Sequence, residues 1–163
     1  MKKIFYTLLI IISLTNNSFS AGSSNDSDST TKVSNYVKAK NLIKAAKKYE
    51  KKGKTEKAQK RYTKAQKLLL KSNKEKPLQA DTLNYLGFTT RKLGDYEKGE
   101  AFYLQGLKIE PNHNGINEYL GELYVVTGRM DMAKERLEVL KTCNCEEYDE
   151  LKEIIEGTKK SKY

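Results

Sequence analysis

Apolar residues recur at intervals of three or four along most of this chain, which is the spacing of one face of an α-helix. The first such stretch carries Ala39, Leu42, Ala46 and Tyr49. Gly53 ends it, and similar stretches follow as far as residue 156, separated by short polar turns. The pattern therefore predicts an all-α fold built from successive helices.

Two of these stretches repeat each other at a fixed distance. Tyr85-Leu86-Gly87 recurs as Tyr119-Leu120-Gly121, and Gly94 recurs as Gly128, both 34 residues further on. A period of this length is typical of a stacked array of helical hairpins. Gly87 and Gly121 are expected where two helices cross closely, and Gly94 and Gly128 in the turns.

The repeated residues resemble the tetratricopeptide repeat, a 34-residue pattern of W-x2-L-G-x2-Y, then A-x3-F, then P. The second copy matches it through Leu83, Leu86, Gly87, Thr90, Gly99, Tyr103 and Pro111. The third copy matches it through Asn117, Leu120, Gly121, Tyr124, Ala133 and Leu137, and the weaker first copy through Leu42, Ala45, Ala46, Tyr49, Ala58 and Tyr62. The resemblance implies a right-handed α-solenoid of about three helix-turn-helix hairpins, with repeats near residues 39–76, 80–113 and 114–143, inside a helical domain of residues 33–157.

The first copy is longer than the period. Gly53 and Gly94 are 41 residues apart, seven more than 34. Seven residues are about two helical turns, so we expect residues 66–76 to lengthen the second helix without rotating its face. The leucines of that segment, Leu68, Leu69 and Leu70, are expected in the core, and the alternative is an exposed apolar strip for a partner.

A last helix over residues 145–156 is predicted to cap the open end of the stack. Asn144 and Glu147 have the spacing of a capping box for it, and residues 158–163 are expected to form a flexible tail. Cys143 and Cys145 lie in the turn before this helix. Three interpretations of the pair remain open: a local disulfide, two packed thiols, or a redox or soft-metal site.

The amino terminus has the three parts of a secretory signal peptide. Two lysines precede the apolar run of residues 4–14, and the small residues Ser18 and Ser20 favour cleavage before Ala21. Residues 1–20 are therefore predicted to be a signal peptide and residues 21–32 a disordered linker. We expect an exported, periplasmic product, and the segment from Cys145 to Lys152 also resembles the end of small exported bacterial tetratricopeptide-repeat proteins.

The charge is distributed unevenly. Residues 21–76 carry 17 Lys/Arg and five Asp/Glu, a net +12, whereas residues 77–163 carry 12 and 16, a net −4. Such asymmetry can steer an anionic partner, but we favour the interpretation that these are solvated helix faces that keep a small protein soluble. Nucleic acid is not expected as a partner of an exported protein, and membrane contact is expected only through the signal segment or transient electrostatics.

No catalytic constellation is recognisable, so we do not expect an enzyme, a cofactor or a metal site. The single histidine, His113, is expected to face solvent in a turn. The family resemblance implies a scaffold that binds a protein or peptide in a groove lined by the first helix of each hairpin. The residues expected to line it are Lys40, Ile43, Lys47, Asp81, Asn84, Phe88, Arg91, Glu118, Glu122 and Val125. Phe88 and Val125 are its candidate apolar anchors. The alternatives are an anionic-surface binder acting through the basic first hairpin, and a thiol redox or copper-handling protein acting through the two cysteines.

Overall fold

The computed structural model describes residues 33–161. The predicted signal peptide, its cleavage before Ala21 and the whole linker of residues 21–32 lie outside these residues. Within them the chain forms the following helices: α1 (Asn35–Glu50), α2 (Thr55–Glu75), α3 (Ala80–Lys92), α4 (Tyr96–Ile109), α5 (Asn114–Val126), α6 (Met130–Leu140) and α7 (Glu146–Ile155). None of them is both long and apolar enough for a transmembrane helix.

The helices pack as three consecutive hairpins, α1 with α2, α3 with α4 and α5 with α6, and α7 packs on α5 and α6. This confirms the predicted all-α helical-repeat solenoid. The first helices of the hairpins also contact one another, α1 with α3 and α3 with α5, whereas α2, α4 and α6 make no such contacts among the described residues. The first helices, α1, α3 and α5, contact one another and therefore form the inner row of the stack. We call the surface that they present the concave face.

Short-range signals in the sequence set the ends of several helices. The Ser34 hydroxyl accepts a hydrogen bond from the Val37 amide at the start of α1, and Asp95 accepts one from the Lys98 amide at the start of α4. Side chains of these types satisfy amide groups that have no partner within the helix. Gly94 has φ +97° in the turn between α3 and α4, a left-handed conformation that favours glycine.

The packing glycines are explained by what a side chain would strike. A Cβ atom at Gly87 would lie 2.5 Å from the Tyr103 ring, and one at Gly121 would lie 2.5 Å from Leu151. At Gly99 it would lie 3.1 Å from the backbone oxygen of Gly87. In the second hairpin the buried Tyr103 therefore packs directly on Gly87. In the third hairpin Leu151 of α7, the capping helix, packs on Gly121 at the equivalent position.

The seven additional residues lengthen α2, which spans 21 residues, as expected. Leu69 is fully buried and Leu68 is half-buried against the core, while Leu70 is exposed. The core interpretation therefore holds for Leu69, and burying a leucine of this kind stabilises the fold by about 1.5–3 kcal/mol.

The start of α7 differs from the prediction. Cys145, not Asn144, occupies the N-cap position, and its side chain makes no capping hydrogen bond. Asn144 has φ +48°, a left-handed conformation that asparagine tolerates better than most residues. The first residues of the tail are hydrogen-bonded to the end of α7, because the amides of Thr158 and Lys159 both donate to the Glu153 carbonyl oxygen.

Candidate concave binding face

Four side chains of α1 and α3 form an accessible strip on the concave face. Tyr36 and Tyr85 are half-buried, with ring centroids 5.9 Å apart in an edge-on arrangement. The exposed Lys40 places its Nζ atom 5.4 Å from the Tyr36 centroid and 5.8 Å from the Tyr85 centroid. Asp81, also exposed, is the fourth member of what we call the concave strip. It therefore presents aromatic surface and charges of both signs.

Below this strip an aromatic cluster fills the space between the hairpins. Phe88 lies 5.8 Å from Tyr62 and 5.1 Å from Tyr119 between ring centroids. Lys47 Nζ sits 4.5 Å from the Phe88 centroid and donates a hydrogen bond to the Tyr119 hydroxyl at 3.2 Å. Phe88 is only 1% exposed. The expectation that Phe88 is exposed as an apolar anchor is wrong, because the rings of Tyr62 and Tyr119, from the first and third hairpins, cover it.

Two further residues expected in the groove form a buried ion pair. Arg91 Nη2 lies 3.3 Å from Glu122 Oε2, and both side chains are inaccessible to solvent. Arg91 Nη1 also donates to the Tyr119 carbonyl oxygen. The Ser161 hydroxyl donates to Glu122 at 3.1 Å, which brings the start of the tail onto this site. Arg91 and Glu122 thus join α3 to α5 instead of facing a partner.

The remaining expected groove residues divide between interior and surface. Ile43 and Glu118 are buried at 3% and 4% exposure, and Asn84 at 6%. Val125 is half-buried. Binding through the full set of ten residues remains a prediction, but only those outside the packed centre are accessible in this structure.

Sequence reasoning missed the structural role of His113. Its Nδ1 atom accepts a hydrogen bond from the Ile116 amide at 3.2 Å, so His113 caps α5. Its Nε2 atom lies 3.4 Å from Asp81 Oδ1 on α3. The expectation of a purely solvent-facing turn residue is therefore wrong. Its position immediately before a helix was a signal, although histidine is not among the usual capping residues.

Burial and nearby carboxylates raise the pKa of three tyrosines of the concave face. Burial, followed by the charge of Asp81, raises the pKa of both Tyr36 and Tyr85 above the usual value for tyrosine. Burial, followed by the charge of Glu118, raises the pKa of Tyr119. These hydroxyl groups therefore stay protonated at neutral pH and remain hydrogen-bond donors.

Cys143 and Cys145 are joined by a disulfide in the structure. Of the three interpretations left open by the sequence, the structure thus contains the local disulfide. Within residues 33–161 no group of three or more metal-ligating side chains comes together. The disulfide closes the turn that leads into α7, away from the concave strip in sequence.

Comparison with known proteins identifies the repeat. Residues 80–113 match the family described as "Tetratricopeptide repeat". The chain is similar in fold to the Yersinia enterocolitica type III secretion translocator chaperone SycD, with a TM-score of 0.52 and 16% identity over 78% of this chain and 86% of that chain.

Two solved structures of RPAP3 are also similar. The first TPR domain of human RPAP3 gives a TM-score of 0.47 at 21% identity, over 77% of this chain and 98% of that chain. The first TPR of Spaghetti (RPAP3), bound to the HSP90 peptide SRMEEVD, gives 0.48 at 21% identity, over 76% and 94%. No curated protein matches the chain.

Proposed function

We propose that this chain, in which residues 80–113 match the tetratricopeptide repeat, is an exported scaffold that binds a protein or peptide partner along its concave face. SycD, the neighbour of similar fold named above, is a chaperone of a type III secretion translocator, which supports a role in holding another polypeptide. No catalytic step is part of the proposal.

The concave strip is the observation on which the proposal depends. Tyr36 and Tyr85 offer ring surface, while Lys40 and Asp81 offer opposite charges beside it. Aromatic side chains provide large contact areas at low conformational cost. All four stand on helices that the buried centre holds in place, so ordering them on binding would cost little free energy.

Export is the second part of the proposal, and it is supported by the three-part amino terminus. The disulfide between Cys143 and Cys145 is consistent with it, because disulfides persist in oxidising compartments. Fractionation of cells expressing the full chain tests this part directly. Recovery of an intact, unprocessed chain in the cytoplasm would contradict export without affecting the binding proposal.

Site-specific photo-crosslinking tests the binding proposal. A photoreactive amino acid replaces Lys40 on the concave face or, as a matched control, the exposed Lys64 on the outer helix α2. We expect crosslinks to a discrete second polypeptide from position 40 and none from position 64. Equal crosslinking from both positions, or none from position 40 with the chain folded, would contradict binding along the concave face.

The first hairpin supports a second candidate function, the binding of an anionic surface. Residues 33–76 contain 16 Lys/Arg against Glu50, Glu56 and Glu75, a net +13, and 14 of the lysines are exposed. This positive charge is larger than the net charge of about 2–8 that keeps a small domain soluble. It would attract anionic lipid or polysaccharide at low ionic strength.

Vesicle co-sedimentation distinguishes this candidate. Binding to phosphatidylglycerol vesicles should exceed binding to phosphatidylcholine vesicles and fall steeply with salt, because the Debye length shortens from about 10 Å at 0.1 M to about 3 Å at 1 M. Lysine-to-glutamine changes at exposed positions of α2 should weaken it: Lys60, Lys64 and Lys67. The same changes on the acidic part of the chain serve as the control: Lys98, Lys108 and Lys134. Binding that is insensitive to salt would contradict the candidate.

A further inference from the structure

The chain leaves α7 through a turn that local hydrogen bonds define. The amide of Gly157 donates to the Ile154 carbonyl oxygen, and the amide of Thr158 donates to the Glu153 carbonyl oxygen. Together with Gly157 in a left-handed conformation at φ +74°, these two bonds form a Schellman motif. The Thr158 hydroxyl donates to the same Glu153 oxygen at 3.0 Å. The direction in which the tail leaves the helix is therefore set by the end of α7 itself.

The tail then lies against α7. Lys159 Nζ is 3.1 Å from Glu150 Oε1 and 3.4 Å from Glu153 Oε2. Glu150 stands in the middle of α7, and its side chain is only 17% exposed. The Lys159 side chain is therefore held back along the helix instead of extending into solvent.

Ser161 brings the tail onto the concave face. Its hydroxyl donates a hydrogen bond to Glu122 Oε2 at 3.1 Å. Glu122 belongs to α5, and it pairs there with Arg91 of α3 in the buried centre of the face. The start of the tail, residues 158–161, thus connects the end of α7 with a position that the sequence assigned to the binding groove.

The two carboxylates that hold the tail lie near each other. Burial and the charge of Glu118 raise the pKa of Tyr119 above the usual value for tyrosine. The charges of Glu122 and Glu150 raise the same pKa further, so both carboxylates act on one hydroxyl group of α5. The contacts of the tail are therefore grouped at the α5 end of the concave face.

The contacts of the tail are of a kind that exchanges readily. Partly exposed ion pairs such as those of Lys159 contribute little free energy each, and Ser161 adds a single hydroxyl hydrogen bond. The tail is nevertheless attached beside its own site, and a short linkage gives it an effective concentration on the order of millimolar. Weak contacts are therefore sufficient for the tail to occupy the site, and another polypeptide can still displace it.

We propose that the start of the tail is an autoinhibitory strap, which occupies the α5 end of the concave face and is displaced when a peptide partner extends beyond α3. The concave strip defined above lies on α1 and α3, so it stays open while the strap is in place. A partner therefore meets the open end first and then competes with the strap for its place over α5. The proposal rests on the proposed function, because it describes how binding along the same face is regulated.

NMR spectroscopy of the isotope-labelled, disulfide-intact full chain tests whether the strap is in place. The double variant Lys159→Ala, Ser161→Ala removes the side-chain contacts of the strap. The control Lys160→Ala changes the net charge equally, in an exposed lysine that makes none of these contacts. We expect the double variant to shift the amide signals of Tyr119 and Glu122, and the control to leave them unchanged. Circular dichroism at 222 nm should be the same in all three proteins, because these positions lie outside the helices.

A titration with the separate peptide acetyl-Thr-Lys-Lys-Ser-Lys-Tyr-amide, the sequence of residues 158–163, tests whether the strap competes. The peptide must displace the strap in the unchanged chain but not in the double variant. If about one molecule in three to one in ten is open, the double variant should lower the apparent Kd about three- to tenfold. The Lys160→Ala control should bind the peptide with the Kd of the unchanged chain.

The other outcomes separate the strap from the proposed function. Equal Kd values in the three proteins, or equal shifts in the double variant and the control, would overturn the strap, and crosslinking at position 40 would still decide the proposed function. If the signals of Glu122 change with protein concentration before any peptide is added, the tail of a second copy occupies the site and the strap is wrong. If the peptide results are as expected but position 40 gives no crosslink, the strap is supported and the proposed function fails.

Discussion

The buried pair of Arg91 and Glu122 allows a quantitative test of what joins the second hairpin to the third. Both side chains are fully inaccessible and their charged atoms are 3.3 Å apart. At an effective dielectric constant of about 20, two unit charges at this separation attract by about 5 kcal/mol. Removing either partner would leave the other charge buried and deprived of this ion pair, at a cost of about 3–5 kcal/mol.

We therefore expect Arg91→Met and Glu122→Leu each to lower the free energy of unfolding by about 3–5 kcal/mol. The double variant should lose less than either single variant, because apolar replacement of a complete buried pair is often neutral or stabilising. Urea unfolding followed by circular dichroism at 222 nm measures all three values. The expected departure from additivity is at least about 3 kcal/mol.

A matched pair on the surface provides the control. Arg129 Nη2 lies 2.8 Å from Glu100 Oε2, but the two side chains are 37% and 19% exposed. The same cycle with Arg129→Met and Glu100→Leu should give a coupling of about 1 kcal/mol or less, because water screens the pair. Additive losses at Arg91 and Glu122, or equal coupling in the two cycles, would refute the argument that burial makes the inner pair indispensable.

Three other changes test the packing, the titration and the disulfide. Gly87→Ala should cost about 1–3 kcal/mol in a urea titration, because the new methyl group meets the Tyr103 ring; combining it with Tyr103→Leu should cost less than the sum of the two. Burial, aided by the charge of Glu100, raises the pKa of Tyr124 from 10.0 to about 12, so its contribution to stability is complete below pH 10 and lost as the pH rises towards 12; absorbance at 295 nm and circular dichroism should show Tyr124→Phe to be less sensitive across that window, and identical profiles would contradict this. Replacing Cys143 and Cys145 by serine should lower the free energy of unfolding by about 1.5 kcal/mol at most, since the closed loop is very short; a larger loss in urea would mean that the bond also positions α7.

The sequence predicted most of the fold because the relevant signals are local. The 34-residue period located the second and third hairpins, and the turn glycine Gly94 has the positive φ that its position required. The seven additional residues were correctly assigned to α2 because two whole helical turns preserve the orientation of its apolar face. Asn144 was misassigned as the cap of α7 because capping patterns identify a neighbourhood more reliably than a residue.

The concave face was less predictable. The period shows which positions of α3 and α5 point inward, but it does not show how far neighbouring hairpins close over them. Phe88, Arg91 and Glu122 have the correct orientation and are nevertheless buried. Tyr62 and Tyr119, from the first and third hairpins, cover Phe88, and Arg91 pairs with Glu122 between α3 and α5. Such contacts between distant parts of the chain leave no periodic signal.

What the sequence by itself determined is the repeat, the helices and the residues that each hairpin turns inward, because helical periodicity acts over a few positions. Only the tertiary structure decided which inward residues stay accessible. It separated the accessible concave strip around Lys40 and Tyr85 from the buried pair of Arg91 and Glu122. The reason is that accessibility depends on the stacking of successive hairpins, which brings together residues far apart in the chain.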